Sequence, residues 1–194
     1  MNKTLNKTLL ASALTLALGT VVQQAAAADV YTLDNHHTYA MFEINHLGFS
    51  TLRGGFTKID GDLNVDLAAK TGSVNITIDA NSLQTAVPDF TTHLKSADFF
   101  EVEKYPTLTF KSTAFKFEGE QLSKVEGDLT MHGVTQPITL DVTAFRCGEH
   151  PMKKKPHCGA DAQAVIKRSD WGISTYVPHV ADEVTLKIEI EATR

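Results

Sequence analysis

The chain has 194 residues, 42% of them hydrophobic, with 18 Lys+Arg against 23 Asp+Glu and a formal charge of −5. That balance excludes a general nucleic-acid binder, which carries a basic surface, and favours a soluble protein with neutral or apolar partners. The length suits one ordinary domain with a real core.

In chain order, the first feature is an export leader. Lys3 and Lys7 make a positive start, Leu9–Leu18 is a short apolar run, and Ala25–Ala28 follows as a small-residue stretch. This is the layout of a secretory signal peptide over 1–28, cleaved after Ala28. The apolar run is shorter than the ~20 residues of a membrane span. Removing Lys3 and Lys7 takes the formal charge from −5 to −7 for the mature domain, 29–194.

From Ala40 the residues alternate. Ala40, Phe42, Ile44 and His46 share one face, and Met41, Glu43 and Asn45 the other. A histidine thus stands where the pattern asks for an apolar residue. Two readings fit. In one, His46 is a hydrogen-bonded core residue tying the strand to the Leu47–Ser50 turn; in the other, it faces an interior ligand and meets its polar head. Further strands follow at Val74/Ile76/Ile78/Ala80, Leu108/Phe110/Ser112, Leu129/Met131, Ile138/Leu140/Val142, Ala160/Ala162/Ala164/Ile166 and Val184/Leu186/Ile188/Ile190. Many short alternating strands separated by turn residues indicate an antiparallel sandwich or barrel.

Asp89–Phe100 interrupts the alternation. Phe90, Leu94 and Ala97 have helical spacing, with Pro88 before them and Tyr105-Pro106 after. One or two helical turns are expected here, placed to cap a barrel end. A barrel of about eight strands either fills its own interior or holds one small ligand. The small residues Ala40, Ala80, Ala160, Ala162 and Ala164 at inward positions leave room.

Cys147 and Cys158 flank a short segment of an exported chain, so a disulfide is the default; closing so short a loop contributes no more than ~3 kcal/mol. The alternative is a metal site using these cysteines with His150 and His157. Between them lies Met152-Lys153-Lys154-Lys155, a solvated hairpin tip or a contact for an anionic lipid surface. The remaining histidines are read as scattered surface residues. No metalloprotease, P-loop, CxxC or dinucleotide motif occurs. Ser50 lacks the second glycine and the strand–turn–helix setting of a nucleophile elbow. No catalytic residue or enzymatic activity is therefore expected.

These motifs together resemble the YceI-like, polyisoprenoid-binding proteins. The resemblance is carried by Phe42-x-Ile44-x-His46-Leu47-Gly48-Phe49-Ser50, Gly55-Phe56 and Gly61, and by His93-Leu94-x-Ser96-x-Asp98-Phe99-Phe100. It continues through Tyr105-Pro106-x-x-x-Phe110-x-Ser112, Gly127-x-Leu129-Thr130-x-His132-Gly133-Val134-Thr135, Asp170-Trp171-Gly172 and Asp182-Glu183-Val184. It implies an all-β, extended lipocalin-like antiparallel barrel around an apolar tunnel, in a largely non-enzymatic and often exported family. The resulting expectation is a periplasmic carrier for a polyisoprenoid, an isoprenoid quinone or a fatty-chain lipid. The wall is expected to include Phe42, Ile44, His46, Phe56, Ile76, Ile78, Phe110, Leu129, Met131, Leu140 and Trp171. Neither a metal nor a cofactor beyond the bound chain is expected. Transient membrane contact through Lys153, Lys154 and Lys155 is one expected partnership, and a homodimer is left open. The cysteine hairpin lies outside the family pattern.

Overall fold

The computed structural model describes residues 28–194, so the expected leader and its cleavage point lie outside or at the edge of the described residues. The strands are β1 (Asp29–Leu33), β2 (Tyr39–His46), β3 (Ser50–Phe56), β4 (Ile59–Asp66), β5 (Thr71–Asp79), β6 (Leu83–Thr85), β7 (Thr107–Glu118), β8 (Gln121–Met131), β9 (Val134–Glu149), β10 (Pro156–Lys167) and β11 (Val180–Thr193). All pairings are antiparallel. The ring β1-β4-β5-β7-β8-β9-β10-β11 closes because β11 also pairs with β1. The expected eight-strand barrel is therefore present. Strands β2, β3 and β6 extend the sheet from the free edge of β11.

Closure rests on a shared edge. The first part of β11 pairs with β2, from Val180↔His46 to Glu189↔Tyr39. Its last part pairs with β1, Leu33↔Ala192 and Thr32↔Thr193. Consecutive strands β1 and β2 thus lie end to end along one neighbour, joined by the loop at 34–38. Arg194 reaches Asp29, so the first and last strands also meet through their side chains.

The inward faces follow the alternation: Ala40 and Phe42 on β2, Val74, Ile76 and Ile78 on β5, and Leu129 and Met131 on β8 are buried. Three unpaired residues then change the phase. Thr113 on β7, Ser123 on β8 and Thr143 on β9 are bulged out of the ladders. Each bulge reverses which parity points inward. Without them Phe115 and Phe145 would face solvent; with them both turn inside.

The insertion forms helix α1 (Pro88–Lys95), with Pro88 in its first turn, where a missing N–H removes no helical bond. Residues 96–105 continue as turns, so the expected one or two helical turns are the eight residues of α1. Buried Leu94 anchors the insertion. Phe100 reaches the strands, with ring centroids 5.5 Å from Phe56 and 6.3 Å from Phe42.

The Cys147–Cys158 disulfide is present and joins directly paired residues of β9 and β10.

Candidate functional site: an apolar cavity through the barrel

The barrel encloses a cavity of about 410 Å³, within the ~300–1,000 Å³ typical of small-molecule sites. It runs from Phe115, Leu122, Phe145 and Cys158 near the hairpin end to His46, Phe90, His93, Phe99 and Tyr176 near α1. The expected residues Phe42, Ile44, His46, Phe56, Ile76, Ile78, Phe110, Leu129, Met131 and Leu140 all lie on its wall, as do Ala40, Ala160 and Ala162. Ala80 and Ala164 are buried but away from it.

Wall thickness is set partly by two glycines. A Cβ on Gly54 would fall 2.5 Å from Phe42 Cζ, and one on Gly127 equally close to Phe110 Cζ. Each ring therefore lies across the neighbouring strand's bare Cα. Any side chain there would push the ring into the cavity.

Trp171 is a correction. It is buried but does not line the cavity. It belongs to a 3-10 turn, Arg168–Trp171, closed by Gly172 in the left-handed region (φ 77°). The turn buries the indole away from the cavity, and Nε1 donates to the Leu129 carbonyl of β8 at 3.1 Å.

The same turn supplies a residue that the sequence reading missed. Arg168 is 5% exposed and lies on the cavity wall. Its Nε donates to Ala181 O at 2.9 Å, Nη1 to Ile173 O at 3.0 Å and Nη2 to Val180 O at 3.2 Å. Burial pushes its pKa below the ordinary value, and Asp182 opposes that shift. Burial likewise disfavours the Asp182 carboxylate, but Ser169, donating through N (2.9 Å) and Oγ (2.7 Å), outweighs it and lowers the pKa. No spacing signals this clasp; the only hint is a cation beside an apolar strand.

His46 is half-buried on the wall, opposite Ser50 and Val180. The following turn is closed without its ring: Gly48 N donates to Asn45 Oδ1 at 2.8 Å and Phe49 N to the His46 carbonyl at 3.0 Å. Among the described residues the imidazole has no hydrogen-bond partner, so the strut reading fails in its original form. Two other histidines are not surface residues as expected. His132 Nδ1, in the Nδ1–H tautomer, donates to the Trp171 carbonyl at 3.0 Å. His157 is 14% exposed at its side chain and bridges Glu191 (3.0 Å) and Thr193 (2.8 Å).

The alternative Cys/His metal set is not assembled. The sulfurs are bonded to each other, His157 is engaged as above, and His150 Nδ1 accepts the backbone amides of Met152 and Lys153, folding the hairpin tip. Nearby, Asp34, His37 and Glu191 bring ligand-type atoms within 4.8 Å of one another. Lys153 Nζ, however, donates to Asp34 Oδ2 at 2.6 Å, and His37 Nδ1 lies 3.3 Å from the same oxygen. Lys153 first, then the His36 amide and His37, hold the Asp34 carboxyl well below the usual carboxylate range. A group with a lowered folded-state pKa stabilises above its unfolded pKa and loses that contribution as pH falls through the folded one. Asp34→Asn is therefore expected to lose about 1 kcal/mol at neutral pH, given partial solvent screening. The difference from wild type should narrow below about pH 4, as measured by urea unfolding across pH.

The YceI-like domain model matches residues 31–192. The chain belongs to the YceI-like family. Protein YceI of Salmonella arizonae is 36% identical over 191 residues, covering 98% of this chain and 99% of the relative. The crystal structure of BcnA from Burkholderia cenocepacia superposes with a TM-score of 0.72 at 26% identity, over 83% of this chain and 99% of that one. A polyisoprenoid binding domain from Saccharophagus degradans shares the fold, with a TM-score of 0.63 at 17% identity, over 87% and 99% of the two chains. Within this YceI-like barrel the family motifs sort by place. His46 and His93 line the cavity, Gly127 leaves room for the Phe110 ring, and the Asp170-Trp171-Gly172 turn is tied to β8 through the indole.

Proposed function

We propose that this YceI-like protein carries or sequesters the apolar chain of a polyisoprenoid, an isoprenoid quinone or a fatty amphiphile within its barrel, in the periplasm after loss of the 1–28 leader. The observation that carries the reading is the cavity itself: it follows the barrel's length, and its wall is almost wholly aliphatic and aromatic. Burying apolar surface contributes roughly 25 cal/mol per Å², offset by the entropy of ordering a flexible chain. The Saccharophagus degradans domain, named for polyisoprenoid binding, supports the ligand class. Binding rather than catalysis is the role, in keeping with the family.

The test is organic extraction of the purified exported protein and mass spectrometry, followed by reloading with isoprenoid quinones and prenols. A stoichiometric chain lipid is expected. Repeated preparations that contain none and take none up would overturn the reading. N-terminal sequencing of the periplasmic product should begin at Asp29.

His46 has a defined part in this reading. Its ring lies on the wall without a protein partner, so it meets the polar head of the amphiphile. His46→Phe should shift selectivity toward chains lacking a polar head while leaving the melting temperature nearly unchanged. A large stability loss with unchanged selectivity would return His46 to a structural role.

A further inference from the structure

At the α1 end of the barrel, the cavity wall passes into exposed apolar surface. Tyr176 lines the cavity and is 54% exposed. Its ring lies 6.3 Å from His93 and 6.2 Å from Phe99, so an aromatic trio from two segments frames the rim. Beside it, the β2–β3 turn carries Leu47, 48% exposed, and Phe49, 90% exposed. His46, immediately before this turn, and Leu52, the third residue of β3 after it, line the cavity. Phe49, almost wholly in solvent, buries too little apolar surface to contribute much to the barrel's stability.

The tip is held rather than loose. Leu47 sits at φ 58° and Gly48 at φ 79°. A positive φ is uncommon for a bulky residue and marks a position fixed by its surroundings. Asn45 Oδ1 and the His46 carbonyl hold the amides of Gly48 and Phe49. The turn therefore presents two apolar side chains outward in one fixed arrangement.

We propose that this tip inserts into a lipid bilayer and seats the cavity mouth on the membrane for exchange of the bound chain. The proposal rests on the carrier reading above. Two observations favour a bilayer as the occupant. A stable protein interface buries about 800 Å² per partner, more than the side chains of one turn present, whereas a few apolar residues suffice to enter the acyl boundary. The tip also stands at the cavity mouth, with His46 and Leu52 at its base on the cavity wall, so a chain leaving a bilayer that holds the tip has only a short way to the cavity. A formal charge of −5 for the whole chain gives no general attraction to anionic lipid, so insertion is apolar. The lysine hairpin stands at the opposite end of the barrel. There Lys153 is paired with Asp34, and Lys154 lies 3.6 Å from Glu149.

The experiment is flotation of the purified exported protein with phosphatidylcholine vesicles, comparing wild type, Phe49→Ser, and a variant with Lys153, Lys154 and Lys155 all changed to Ala. Wild type should float. Phe49→Ser should partition about ten-fold less or lower still, as expected for withdrawing one phenyl ring from lipid, and the lysine variant should match wild type. Phe49→Trp should show a blue-shifted emission on adding vesicles. Wild type failing to float, Phe49→Ser floating equally, or loss confined to the lysine variant would each overturn the proposal. So would a photo-crosslinker at position 49 that captures a protein in cells and no phospholipid. Loading from detergent solution separates this from the carrier reading. Phe49→Ser should load a prenol from detergent as wild type does, and more slowly from vesicles. A wild type that floats but takes up no prenol from either source defeats the carrier reading and leaves the docking intact.

Discussion

Arg168→Ala is expected to lower the unfolding free energy by about 3–5 kcal/mol in urea or guanidinium titrations, by loss of hydrogen bonds rather than of charge at a surface. The guanidinium holds three carbonyls, that of Ile173 in the loop before β11 and those of Val180 and Ala181 at its start. With Arg168 nearly fully buried, truncation leaves those acceptors facing an apolar wall. Each unsatisfied buried polar group costs about 1–3 kcal/mol. Arg168→Lys should recover only part of the loss, because one ammonium on a flexible stem cannot reproduce a planar fork reaching three acceptors. A loss below about 1 kcal/mol for Arg168→Ala would mean that the carbonyls are satisfied without it.

Ala162→Phe is expected to reduce chain-lipid uptake at least ten-fold, of the order of the roughly 1.5–3 kcal/mol of burial lost when one large apolar group is displaced, while the barrel stays folded. Ala162 lies on β10 with its side chain on the cavity wall. A phenyl group there extends into space that the ligand requires. In a close-packed core such an enlargement costs about 1–3 kcal/mol through strain; over a cavity the added ring has room, so the melting temperature should hold or rise. Equilibrium loading with a prenol, read beside thermal denaturation, checks both parts. Undiminished uptake would show that the chain bypasses this stretch of the barrel.

The strands could be read because one face of each is buried, and alternation records that directly. Ten of the eleven wall residues expected from the sequence lie on the cavity for this reason. The exception, Trp171, lies on no strand, so periodicity carried no information about which way its ring points. Phe115 and Phe145 were missed for a different reason. Their strands change phase at Thr113 and Thr143, and the sequence does carry the sign: Leu108 and Phe110 occupy even positions and Phe115 and Phe117 odd ones. A shift of parity inside an apolar run signals a bulge. Arg168 could not have been found this way, because its acceptors are backbone carbonyls, which every residue possesses. His46 was visible as a polar residue on an apolar face. Its lack of a partner was not, because that depends on Asn45 closing the turn in its place.

The meeting of β1 with the end of β11 makes the domain close to a continuous loop of chain. Thr32 faces Thr193, and Asp29 and Arg194 touch across the seam. A short linker joining those ends would change no strand pairing. New ends could then be opened at Gly119, where the β7–β8 hairpin turns in the left-handed region (φ 64°) and a Cβ would meet nothing within 4 Å. The order of the strands along the polypeptide is thus separable from their order around the barrel. The same ligand space could be enclosed by a chain that begins on β8 and finishes on β7.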